Sequence, residues 1–190
     1  MFMEGLKMRS RGITAILLIA GLAGAGLAIA VVARPGSGDS TGGESAQINA
    51  CDMINAADVQ RVIGVAVRTG DRQDDGITRD GAYSSTCYWG TSEVPEEGGT
   101  YAILNMMFWP EGSEGPKHFL ESFHEAAAEH VIPSEPEPLP YGDQSLWWGD
   151  GVAVAIGDVS FGISVRHSSP DKSIRRIMEE MLAKKILENF

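Results

Sequence analysis

The sequence predicts an α+β domain, an antiparallel β-sheet with helices packed on one face, preceded by one N-terminal transmembrane helix. Three observations carry this reading. Residues 12–33 form a 22-residue run without a single charge. Val152, Val154, Ile156 and then Phe161, Ile163, Val165 alternate on either side of a Gly157-Asp158 turn, the pattern of neighbouring strands with one buried face. Phe119, Phe123, Ala126 and His130 recur at helical spacing.

The elements follow in chain order. Residues 1–11 carry Lys7, Arg9 and Arg11, and only Arg34 follows the apolar run closely. The positive-inside bias therefore leaves this short N-terminus in the cytoplasm and sends the remainder across the membrane. At about 1.5 Å per residue the run 12–33 reaches roughly 30 Å, enough to span. It exceeds the roughly 7–15 residues of a secretory h-region, so it reads as a retained anchor rather than a cleaved signal. Residues 34–47, "RPGSGDSTGGESAQ", have no apolar periodicity. They form a flexible tether with a root-mean-square reach of about 20 Å. Residues 48–190 are long enough for one domain with its own core.

Within that domain Asn55, with Asp58 three residues on, signals a helix start, and Gly64 suits the position just past its end. Residues 70–81, "GDRQDDGITRDG", read as a charged loop. Tyr83–Gly90 and Tyr101–Trp109 are rich in aromatic and apolar residues and read as strands. Pro116 opens a helix running to about His130, and a Pro-rich crossover leads to strands Gln144–Trp148, Val152–Ile156 and Val159–Arg166. A last helix places Ile174, Ile177, Met178, Met181, Leu182 and Ile186 on one stripe.

Charge and cysteine usage narrow the class. From residue 50 onward there are 11 Lys and Arg against 23 Asp and Glu. Nucleic acid and anionic headgroups both reward Lys and Arg, so this balance excludes a nucleic-acid binder. The two cysteines, Cys51 and Cys87, lie on the oxidising side of the membrane in this topology. A lipid-bearing cysteine belongs at the end of the apolar segment, and two thiolates alone make a poor metal site. The pair is expected to form a disulfide that stabilises the fold by roughly 3–4 kcal/mol in the chain-entropy model.

Cys51 before a short helix ending at Gly64, Cys87-Tyr88-Trp89, and then "YGDQSLWWGDGVAVAIGDVSFGISV" before a terminal helix resemble a broad group of small bacterial envelope domains. Many of these are actinobacterial lipoproteins of unknown function. The likeness covers roughly residues 51–188, and this chain departs from the lipoprotein members in its anchor. The resemblance implies an extracytoplasmic α/β sandwich and brings no catalytic residues with it.

Candidate chemistry is sparse. His118, Glu121, Glu125 and Glu129 share one helix face, a spacing that can collect metal ligands but is also that of any solvated face. Asp71, Gln73, Asp75 and Gly76 imitate an EF-hand loop, yet Ala82 stands where the bidentate Glu is needed. No nucleophile elbow and no phosphate-cradling glycine loop occurs, and nothing calls for a cofactor.

The adjacent tryptophans Trp147 and Trp148 point to opposite faces of their strand. Trp148, sharing a face with Leu146, is expected in the core. Trp147 is expected outward, as an anchor for a partner. The chain thus reads as a single-pass protein of the cell membrane whose extracytoplasmic domain binds an envelope protein. The alternative is a small envelope hydrolase or metal-dependent enzyme using His118 and its neighbouring carboxylates.

Overall fold

The computed structural model describes residues 49–92, 99–169 and 171–190. The expected anchor at 12–33 and the tether at 34–47 lie outside the described residues. Among the described residues, no helix is long and apolar enough to cross a membrane.

The domain is an α+β fold built on one antiparallel sheet of seven strands in the order β1-β2-β3-β7-β6-β5-β4. Two short helices come first, α1 (Ala50–Met53) and α2 (Ala56–Ile63), followed by β1 (Asp71–Ile77), β2 (Tyr83–Gly90) and β3 (Tyr101–Phe108). Helix α3 (Gly115–Ala128) then crosses to β4 (Glu137–Pro138), β5 (Gln144–Trp147), β6 (Val152–Ile156) and β7 (Val159–Arg166), and α4 (Lys172–Leu187) closes the chain. Local signals set several of these boundaries. The Asn55 side chain accepts from Asp58 N at 3.0 Å, and Gly64 takes the left-handed conformation (φ 76°) with its N–H on Gln60 O. Gly at that position avoids the Cβ clash that any other residue would bring.

The pleat divides the core in two. On one face Cys87, Leu104, Ile163 and Val152 lie side by side across β2, β3, β7 and β6, with Met106, Phe161 and Val154 in the next row. This face packs against Ala50, Val59 and Ile63 of the first two helices, Ile54 between them, and Leu182, Ala183 and Ile186 of α4. On the other face α3 lays Leu120 and Phe123 over Leu146, Ala153, Ala155 and Trp148. The helices therefore cover both faces, correcting the expectation of one. The reason is visible in the strands. Ala153, Ala155 and Gly162 are small residues on the α3 side, so a helix can approach the sheet closely there.

Three further expectations are corrected. Residues 71–77 of the predicted charged loop are strand β1, paired with β2 from Asp71↔Tyr88 to Ile77↔Tyr83 with a bulge between Asp74 and Gly76. Nearly all its side chains are exposed, so it has no apolar period to read; its ladder with β2 makes it a strand. In α3 the inward stripe is Leu120, Phe123 and Ala126, while Phe119 is half-buried and His130 lies beyond the helix end at φ 59°. In α4 the buried set is Glu179, Leu182, Ala183 and Ile186, and the predicted Ile174, Ile177 and Met181 are exposed. That helix is rotated because Glu179, not an isoleucine, is its first residue to reach the sheet.

Cys51 and Cys87 form a disulfide that fastens α1 to the central part of β2, with Cα atoms 5.1 Å apart. Ser85 Oγ accepts from Ala50 N at 3.1 Å beside it. Removing the bridge by paired Cys51→Ala and Cys87→Ala substitutions should lower unfolding free energy by about 3 kcal/mol. Urea denaturation of the oxidised protein and the double variant measures this. Superimposable curves would contradict the stapling role.

Candidate functional site: the tryptophan pair and the open half of the sheet

The β5–β6 hairpin sends the two tryptophans to opposite sides of the sheet. Trp148 lies on the α3 side, 4% exposed, stacked on Phe123 with centroids 4.7 Å apart and planes 24° apart. Phe119 meets Phe123 edge-on at 5.4 Å and extends the aromatic cluster. A Cβ on Gly151 would lie 2.3 Å from the Trp148 ring, so only glycine allows the indole to fold back over the turn. Trp148 is thus a core residue, on the side that its pairing with Leu146 indicated.

Trp147 is not the bare anchor expected. It stands on the α4 face opposite Val152, half-buried against the main core. Its Nε1 donates to Glu179 Oε2 at 3.0 Å, and the Arg176 guanidinium lies 4.7 Å from its ring centroid. The outward reading assumed one helix-free face; with α4 above the hairpin, the second indole also gains a cover. Arg176 is itself held by Glu137 Oε2 at 2.6 Å and Glu180 Oε1 at 2.9 Å, and Tyr141 Oη donates to Glu180 Oε2 at 2.7 Å. This network ties the exposed rim of α4 to the β4–β5 edge.

Glu179 at its centre escaped sequence analysis. It is 1% exposed, accepting from Trp147 Nε1 and, through Oε1, from Val165 N at 3.2 Å. Burial disfavours its charged form and pushes its pKa up to about 7, against the opposing pull of those two hydrogen bonds and of Arg175. A carboxylate between Met178 and Glu180 on a helix looks solvated in sequence. Only the rotation of α4 shows otherwise.

The acid-rich face of α3 gathers nothing further. His118, Glu121 and Glu125 are all exposed, and Glu121 faces Lys117 at 3.7 Å. Among the described residues no group of three or more His, Cys, Asp or Glu is placed to hold a metal ion. A shallow cleft of about 290 Å³ lies between the start of α3 and the β5–β6 side, lined by Ser113, Lys117, Asp143 and Gly157. Its Asp143 carboxylate already accepts from Gly157 N at 2.7 Å, so no set of converging reactive groups is presented there.

The remaining feature is the uncovered part of the α3-side face. Helix α3 packs on β5, β6 and β7, and no described helix covers that face of β1–β3. The pairings Thr86↔Asn105↔Gly162 and Tyr88↔Ile103↔Ser164 set its rows, with Met107 beside Ser84 and Ser160. Thr86, Ile103, Asn105, Met107 and Ser164 are half-buried, while Ser84, Tyr88 and Ser160 on the same face are buried, as are Cys87, Leu104, Met106, Ile163 and Val165 on the reverse face. Asn105 Nδ2 donates to Thr86 Oγ1 at 2.9 Å and Ser84 Oγ at 3.3 Å, fixing the amide in a polar ladder across the strip. Sequence reasoning passed over this strip because its Thr, Asn and Met positions look like ordinary outward strand residues.

Comparison with family models, curated proteins and solved structures finds no match to this chain.

Replacing Trp148 by Ala should remove about 3–5 kcal/mol of stability by opening a large cavity. Trp147→Phe leaves a smaller aromatic ring and takes a donor from a buried carboxyl, and the lost hydrogen bond alone should cost about 1–3 kcal/mol. Denaturant unfolding of both variants measures the difference. A Trp147→Phe protein as stable as the parent would contradict the Glu179 contact.

Proposed function

We propose that this chain is a membrane-tethered, extracytoplasmic binding domain of the bacterial envelope, which presents the open half of its sheet to a protein partner. The observation that carries the reading is the strip of Thr86, Ile103, Asn105, Met107 and Ser164 that α3 leaves uncovered. On paired strands, Ile103 and Met107 offer a partner apolar contact while Thr86, Asn105 and Ser164 offer hydrogen bonds, the two kinds of contact that protein–protein interfaces combine. The acidic balance of the domain favours a protein over nucleic acid or an anionic lipid surface. Three features support the location: the apolar run 12–33, the basic residues before it, and a disulfide of the kind that persists in oxidising compartments. The resemblance to small envelope domains points the same way.

The tether and the binding face are tested separately. Alkaline carbonate washing of membranes should leave the full chain in the pellet; release into the supernatant would overturn the anchor. For the face, photo-reactive side chains are placed at Asn105 or Met107 in one set of cells and at His118 on α3 in another. Crosslinked protein complexes are expected from the sheet positions and not from His118. The same complexes from all three, or none from the sheet, would contradict the assignment of the face.

A further inference from the structure

Helix α4 meets the sheet through a carboxyl group where an apolar side chain would serve a permanent contact. Glu179 follows Met178 and precedes Leu182, Ala183 and Ile186 on the buried side, and is as enclosed as they are. Its two oxygens are taken by donors from different strands, Trp147 Nε1 on β5 and Val165 N on β7. The second bond has a structural origin. Strand β7 runs past the end of β6, whose last partner pair is Val152↔Ile163, and the Glu179 carboxyl takes up the Val165 N–H beyond that point.

Charge compensation around this carboxyl is incomplete. Among the described residues Glu179 has no ion-pair partner within bonding distance. Arg175, one turn earlier, directs Nη1 to Asp150 Oδ1 at 3.3 Å, while its buried Nε has no hydrogen-bond partner. Asp150 sits on the β5–β6 turn and opposes ionisation of Glu179. From the β4 side Glu137 is engaged with Arg176, which lies over the Trp147 ring and also binds Glu180. On β7 the nearest titratable groups are Arg166, exposed and paired across from Tyr101, and His167, whose Nδ1 accepts from Ser169 N. From α2, Asp58 and Arg61 act on Lys185 further along the helix.

We propose that Glu179 is a proton-controlled latch, which holds the first half of α4 on the sheet when protonated and weakens that hold when the proton leaves. The second half of the helix stays down through the fully buried Leu182, Ala183 and Ile186, so the responsive segment is residues 172–180. Its release would uncover Trp147. Burial sets the direction, against the two N–H donors and Arg175, which favour the charged form. The carboxyl binds its proton more tightly in the closed state, up to about 7 from the ordinary 4.5. The stabilisation is therefore complete below about pH 4.5 and is lost as pH rises through about 7.

The test is hydrogen exchange of the full chain in detergent, read by mass spectrometry between pH 5 and 8. Peptides from β3 correct for the intrinsic rate. Protection of residues 172–180 should fall by at least roughly tenfold, relative to β3, as pH rises through this window. Glu179→Gln keeps the shape without a titrating proton and should give a flat profile, while Glu180→Gln should keep the parent slope. A flat profile in the unmodified chain would overturn the latch, even if Glu179→Gln does not fold. An unchanged slope in Glu179→Gln would equally overturn it.

Discussion

A β-sheet has two faces, and the described helices of this domain bury the centre of one of them and only part of the other. Nearly everything else follows from that shortage. The first three helices to reach the main face, α1, α2 and α4, enclose Leu104, Met106, Phe161 and Ile163 without solvent contact. Among the described helices, only α3 serves the reverse face. The chain accommodates it by placing Ala153, Ala155 and Gly162 beneath it, so that Leu120, Phe123 and Trp148 fill the space that larger strand residues would have taken. Beyond β7 no described helix continues the cover, and the half-buried strand positions there include Thr86, Asn105 and Ser164, whose polar groups tolerate water.

The tryptophan pair marks the hinge between these two regimes. Trp148 belongs to the small aromatic core under α3, and Trp147 belongs to the main core under α4. Neither ring is wasted on solvent, and each reports on a different helix. Arg176, Glu137, Glu180 and Tyr141 then form a rim that ties α4 to the short β4–β5 edge. Partly solvated ion pairs of this kind contribute little individually, so the seating of α4 rests on Leu182, Ala183, Ile186 and the Glu179 carboxyl.

Much of the fold was legible in the sequence because its strands alternate cleanly and its turns carry Gly and Asp. The meander β5–β7, the disulfide, the Asn55 cap, the Gly64 terminus and the core position of Trp148 were all readable from local pattern. What was not readable depended on the third dimension. Strand β1 has the composition of a loop, and its ladder to β2 outweighs that composition. The stripe of α4 was read from the greasiest residues, Ile174, Ile177 and Met181, whereas the helix turns Glu179 inward to meet two strand donors. The open strip was invisible because knowing that a strand face is polar does not say whether a helix lies over it. His118, Glu121 and Glu125 formed a legible pattern, and the structure leaves them on a solvated helix face.

The asymmetry of the sheet underlies the proposed binding face, and two adjacent methionines report it directly. Met106 points into the main core and is completely enclosed, while Met107 lies on the open strip. Hydroxyl-radical footprinting of the full chain, with oxidation of each methionine quantified by tandem mass spectrometry, compares the two faces at one position of one strand. Met107 should oxidise several-fold faster than Met106. Equal protection of both would mean that the reverse face of β1–β3 is covered, and would contradict the open face on which the proposed function rests.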